Sequence, residues 1–243
     1  GRGVRPVKKR LLCAATALLL LCGCSLEALR EMDRPGGPFE NDLDSARGYL
    51  LGQLRDKYGV EFSVVGEESL ENYGPLAGAT YTCDAAPVDD PERVTTALVS
   101  QTKYRKVRDD YARYFFREEA EAPARERLEG IDFVRFCAVE LRLPQTSKTW
   151  NPEDDLRIFL ETSGAYLDIK VYLEEGKTDE EYAGQILDLL ENVRELNANS
   201  RMSVLESEKE YLYWGIVTAL GKAPTPLPTK EEILEQMEIS RMM

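Results

Sequence analysis

The chain has 243 residues, 43% of them apolar, a formal net charge of -13 and no histidine. Its acidity argues against nucleic acid or anionic surfaces as general partners, because those demand clustered Lys and Arg in excess. The missing histidine excludes Ser-His and Cys-His nucleophile pairs, the usual general base at neutral pH and the commonest zinc ligand.

Lys8-Lys9-Arg10 precede an apolar run from Leu11 to Cys22, followed by Gly23-Cys24-Ser25. A twelve-residue run makes about 18 Å of helix, well short of the ~30 Å hydrocarbon core. Extension past Ser25 meets Glu27, Arg30, Glu31, Asp33 and Arg34, so a retained signal anchor is disfavoured. Basic cap, short apolar run and small residue before a cysteine predict an export signal over 1–23, with cleavage between Gly23 and Cys24. An ordinary signal peptide cut elsewhere is the alternative.

Leu21-Cys22-Gly23-Cys24 resembles the lipobox of bacterial lipoproteins. The resemblance implies a diacylglyceryl group on the Cys24 thiol, which becomes the first residue of the mature protein, and no other cofactor. It implies anchoring to the outer face of the cytoplasmic membrane, or to the outer membrane in a Gram-negative cell. Gly1 to Pro6 read as extra sequence ahead of the leader, with Val7 as the expected start. Loss of 1–23, which hold five bases and no acid, takes the formal charge from -13 to -18.

Residues 24–40 include Arg34-Pro35-Gly36-Gly37-Pro38 and read as a flexible tether. An α+β module is expected over 41–143. Asn41 or Asp42 caps a helix with Leu43, Ala46, Leu50, Leu54 and Tyr58 at helical spacing, and Gly59 stops it. Strands follow at Val60–Val64, Ala79–Cys83 and Val94–Ser100, with a loop around Asn72-Tyr73-Gly74-Pro75 and a turn over Ala86–Glu92. Lys103–Glu129 is predicted helical with a kink or break at Pro123, and Phe133–Leu143 is predicted as a strand.

The second module, 144–221, is expected to share one core with the first or to stand beside it. It opens with a helix near Pro152–Thr162 and a strand over Ala165–Leu173. Thr178-Asp179-Glu180-Glu181 is a capping box opening a helix to about Asn197. A hairpin of Met202–Ser207 and Tyr211–Val217 turns at Glu208-Lys209. Residues 222–243 hold an extended Pro224–Pro228 linker, a second capping box at Thr229–Glu232 and a short helix whose Ile233, Leu234, Met237 and Met242 dock on this chain or on a partner. Helices and strands mix without strict β-α-β alternation, so the expected class is α+β, with helices packed on a largely antiparallel sheet in one or two small layers. Tyr49–Tyr114 resembles small uncharacterised lipoproteins of Gram-positive bacteria in Lys57-Tyr58-Gly59, Phe62–Val65, Pro87–Pro91 and Asp109-Asp110-Tyr111. That resemblance implies location and fold type and no chemistry.

Cys83 and Cys137 fall in strand-like runs; they either form a disulfide outside the cytoplasm or stay apart as small buried hydrophobes. Asp84, Asp89, Asp90 and Glu92 are candidate oxygen ligands for a hard cation, at a spacing that matches no EF-hand. The pairs Asp89-Asp90, Asp109-Asp110, Asp154-Asp155 and Glu180-Glu181 invite an enzyme reading, although the last two suit first helical turns. Lys103-Tyr104-Arg105-Lys106-Val107-Arg108, continued by Arg113 and Arg117, is either a basic face for anionic headgroups or wall polymers or a solvated helix face. Trp150 and Trp214 belong in the core or line a ligand cleft. The leading expectation is a non-enzymatic lipoprotein that binds a protein or envelope component. The alternative is an envelope hydrolase using paired carboxylates on glycans or peptides. A solute receptor, which needs two larger lobes, is disfavoured.

Overall fold

Asp42 opens the first helix, α1 (Leu43–Tyr58), by accepting the Ser45 amide at 2.9 Å, and Gly59 closes it in the left-handed conformation at φ 73°. The computed structural model describes residues 38–74, 78–207, 210–217 and 226–242. The expected leader, Gly23, Cys24 and almost all of the tether lie outside these, as do the Glu208-Lys209 turn and Pro224-Thr225. After α1 come β1 (Phe62–Asn72), β2 (Ala79–Pro87), β3 (Thr95–Ser100), α2 (Arg113–Glu129) and β4 (Val134–Arg142). They are followed by α3 (Leu156–Ser163), β5 (Tyr166–Leu173), α4 (Asp179–Arg194), β6 (Ser200–Ser207), β7 (Glu210–Val217) and α5 (Lys230–Met242). The fold is α+β.

Strands β1, β2 and β3 form an antiparallel meander with a bulge between Val64 and Glu68. Its inner residues Tyr81, Cys83, Ala97 and Val99 close over Leu50 and Leu54 of α1, giving the first core. The second sheet runs β4-β5-β6-β7 and is mixed. Its central pair, β5 and β6, is parallel because α4 carries the chain back across the sheet, while both outer pairs are antiparallel. Helices α2, α4 and α5 cover one face of that sheet. Phe116 and Leu128, Ile186 and Leu190, and Ile233 and Met237 meet Cys137, Val139, Ile169, Val171 and Met202 in the second core.

The buried residues of the first core run to Tyr111 and those of the second begin at Ala112, while Tyr114 and Phe115 also pack against the first. The helix expected from Lys103 begins only at Arg113. Residues 103–112 instead bridge two layers, with Arg108 paired to Leu98 and Asp109 paired to Thr146. Of the kink or break expected at Pro123, the break does not occur, because helix α2 runs on through it; the lost hydrogen bond costs ~3 kcal/mol in a helix interior, and burial of Ala120, Ala124 and Leu128 against the sheet opposes it. Helix α3 starts at its cap Asp155, later than expected.

The capping box at Thr178 and Glu181 forms as read from the sequence, and Thr229 with Glu232 repeats it before α5. Of the two dockings open to α5, the chain's own core takes it: Ile233 and Met237 are buried there, Lys230 pairs with Glu180 and Arg241 with Asp179. Among the described residues no helix is long and apolar enough to cross a membrane.

Candidate functional site

The seam between the cores is held by one buried acid. Asp109 is fully buried and accepts from Lys57 Nζ at 2.7 Å, Tyr58 OH at 2.6 Å and the Tyr111 amide at 3.1 Å. Its backbone exchanges both hydrogen bonds with Thr146, whose carbonyl also accepts from Lys57 Nζ at 3.1 Å. Burial, then the neighbouring Asp109 charge, pushes the Tyr58 phenol far above its ordinary value, so it stays a hydrogen-bond donor.

Beside this seam lies a cleft of about 330 Å³, walled by Tyr58, Asp89, Arg93, Tyr111, Trp150 and Asn151 among others. Arg93 Nε pairs with Asp90 Oδ2 at 2.9 Å. The same two side chains also line a neighbouring, strongly charged cleft of about 390 Å³, so their ion pair partitions the two. Trp150 is both core and cleft wall. Its ring meets Phe159 and Phe116 edge-on at 5.1 and 6.4 Å, and its indole N–H is buried without an acceptor.

The second surface is the face of the four-stranded sheet that no helix among the described residues covers. Directly opposed residues on paired strands project to the same side. The register therefore sets Phe136 beside Tyr172, Tyr172 beside Leu205 and Leu205 beside Tyr211 in one row, with the Phe136 and Tyr172 rings 5.8 Å apart. The next rows carry Ala138, Lys170, Ser203 and Trp214, then Glu140, Asp168, Arg201 and Ile216. Phe136, Tyr211, Trp214 and Ile216 are 56%, 47%, 46% and 58% exposed, which is unusual for four large apolar side chains sharing one face. Trp214 is thus outside the core and lines neither of the two clefts above.

Cys83 and Cys137 do not form the possible disulfide: both are free and buried, one in each core. The candidate cation loop is not assembled either. Strand β2 runs on to Pro87, which leaves Asp84 on the sheet with its carboxylate accepting the Thr96 hydroxyl at 2.8 Å, roughly 10 Å of strand short of the turn at ~3.3 Å per residue. Asp90 is turned to Arg93, and Asp89 and Glu92 are exposed. Among the described residues no group of three or more Cys, Asp or Glu side chains is placed to hold a metal ion.

Three of the four acidic pairs do structural work. Asp109 ties the seam, and Asp110 accepts from the Thr95 hydroxyl at 2.6 Å and pairs with Arg113. Asp154 and Asp155 accept the Asn151 and Ile158 amides, while Glu180 pairs with Lys230 and Glu181 completes its capping box. The basic segment is not a helix face. Arg108 lies over the Tyr104 ring and donates to the Gln145 carbonyl, Lys103 stacks on the same ring, and Arg117 turns to Glu121.

The uncovered sheet face escaped the sequence reading. Its signal is in β7, where Tyr211, Leu212, Tyr213, Trp214 and Ile216 put apolar side chains on both faces of one strand.

No protein-family model and no curated protein sequence matches the chain. Among solved structures it is similar to the crystal structure of a DUF5037 family protein from Ruminococcus gnavus. The TM-score is 0.42 and the identity 13%, over 81% of this chain and 98% of that one.

Proposed function

We propose that this chain is a lipid-anchored extracytoplasmic binding protein that holds a partner protein against the uncovered face of its four-stranded sheet. The observation that carries the reading is the aromatic row Phe136, Tyr172 and Tyr211, flanked by Trp214 and Ile216, on a face left open while three helices crowd the other. Aromatic side chains of this kind supply most of the energy of protein interfaces, and a soluble domain gains nothing from leaving them in water. The occupant is a protein surface with a complementary apolar strip. The mixed charges of Glu140, Asp168 and Arg201 at one edge suit a polar interface rim better than a polyanion.

The anchor rests on Lys8 to Cys24, and a tether to about Glu40 separates Cys24 from α1. Membrane fractionation tests the anchor: Cys24→Ala releases the protein from the membrane fraction, and retention of that variant would overturn it. The face is tested by Phe136→Ser with Trp214→Ser in the full chain. That variant keeps its membrane location and melting temperature but loses a discrete complex seen for the unaltered protein after mild detergent extraction. Persistence of the complex would refute the face as the docking surface.

A further inference from the structure

We infer that the partner on the uncovered sheet face is a second copy of this chain, packed face to face about a two-fold axis that runs along the strands between β5 and β6. The inference rests on the docking reading above and names its occupant. Two like sheets packed with their strands aligned can be related by a two-fold along the strands or by one across them. The register distinguishes the two. Along the strands, β4 meets β7 of the other copy and β5 meets β6, row by row. Asp168 then faces Arg201 of the other copy, Phe136 faces Tyr211, Tyr172 faces Leu205, and the small Ala138 leaves room for the Trp214 indole. Across the strands, the aromatic row would lie on the charged one, with Phe136 over Glu140, Tyr172 over Asp168 and Leu205 over Arg201, which buries charge against apolar side chains.

The charges also favour a like partner on this face. The chain as a whole carries -13, which sets most of its surface against a second copy. Here, by contrast, Glu140 and Asp168 are matched by Lys170 and Arg201, so two copies meet without net repulsion. Within one copy the balance is incomplete. Arg142 serves both acids, at 2.8 Å from Glu140 and 3.7 Å from Asp168. Among the described residues Lys170 and Arg201 meet no carboxylate, and the Arg201 guanidinium lies over the Tyr166 ring instead. The two-fold along the strands gives Arg201 its carboxylate, Asp168 of the other copy, and does so twice.

The test is a photo-cross-linking residue at Ile216 of the full chain, irradiated in cells that make it, with the adduct weighed and digested by trypsin. In this arrangement Ile216 faces Glu140 of the other copy, whereas Glu140 of its own copy is three strands, about 14 Å, away. The expected adduct has twice the mass of the chain and joins the peptide holding position 216 to residues 136–142. Asp168→Arg and Arg201→Asp are each expected to lower its yield about tenfold, because like charges then meet across the axis. Made together with different tags, these two variants are expected to cross-link to each other, since each supplies the charge that the other lacks. Ala138→Glu, at an exposed position opposite Trp214, is expected to abolish the adduct too, and it decides the matter if a charge reversal lowers the melting temperature. An adduct with a different polypeptide overturns self-pairing and leaves the docking face standing, whereas no adduct overturns both. A doubled-mass adduct through other peptides, one that survives all three variants, or a mixed pair of folded variants that fails to link would each overturn self-pairing.

Discussion

Lys57 Nζ and Asp109 Oδ2 lie 2.7 Å apart at the seam between the two cores, with side chains 6% and 0% exposed. Replacing one member of such a pair strands the other charge in a poorly solvated place, which costs roughly 3–5 kcal/mol. Lys57→Met and Asp109→Leu are each expected to lower the unfolding free energy measured in urea by that amount. The double variant is expected to recover a large part of the loss, because no charge is then left unpaired. A double variant as unstable as the worse single one would show that the Tyr58 and Thr146 contacts, not the charge pair, hold the seam.

Stability should fall at both ends of the pH scale, for opposite reasons. Arg47 and then the Tyr81 hydroxyl hold the Glu68 carboxyl below its ordinary range; the Gly176 amide and then Tyr182 do the same for Glu206, and Arg241 for Asp179. A depressed carboxylate stabilises the fold above its unfolded pKa of about 4, and that contribution is lost as the pH falls through the folded value. Tyr58 and Tyr81 are raised, chiefly by burial. Their contribution is complete below the unfolded tyrosine pKa of about 10 and is lost above it. Thermal melts from pH 2 to 11 check this: a plateau between, with decline below about 4 and above about 10, is the expected profile. Glu68→Gln should flatten the acid limb.

Neither internal cysteine is expected to react in the native state. Burial pushes the Cys83 thiol up to about 11 and raises Cys137 as well, so little thiolate forms at pH 8. Differential alkylation with peptide mass readout should find both unlabelled until denaturant is added, and never joined, even after mild oxidation. A Cys83–Cys137 peptide would contradict the separate cores.

Helix α5 is part of the domain. Ile233 and Met237 are fully buried against the second core, so Met237→Ala should cost about 2–5 kcal/mol. The exposed Lys230–Glu180 pair should contribute no more than about 1 kcal/mol. Deleting residues from Lys230 onward should lower the melting temperature markedly. An unchanged value would mean that the helix is not docked in solution.

The sequence was most readable where one local rule decides the outcome. Asp42, Gly59, Thr178 and Glu181 place their helix ends through cap chemistry that needs only neighbours in the chain. Alternation likewise located β4, β5 and the β6–β7 strands. It was least readable where distant partners decide. Residues 103–112 have helical spacing, yet backbone pairing of Arg108 to Leu98 and of Asp109 to Thr146 holds them out of a helix, and Asp109 can be recognised as a tie only once Lys57 stands opposite. The parallel β5–β6 pair depends on how α4 returns, which no periodicity encodes. Of the candidate loop residues, Asp89 and Asp90 line the cleft while Asp84 does not, because β2 ends at Pro87 rather than at Cys83. Trp150 could be flagged from sequence as core or cleft; its unmet N–H could not.

The central claim, that the uncovered sheet face holds a partner protein at the membrane, is tested most directly by a photo-cross-linking residue placed at Ile216 in the full chain, irradiated in cells that make it. Ile216 is 58% exposed on that face, and a probe at Arg157 on α3, whose side chain is 81% exposed, serves as the control. One discrete adduct from position 216, absent from position 157 and abolished by Phe136→Ser with Trp214→Ser, is the predicted result. No adduct from position 216, or the same adducts from both positions, would contradict it.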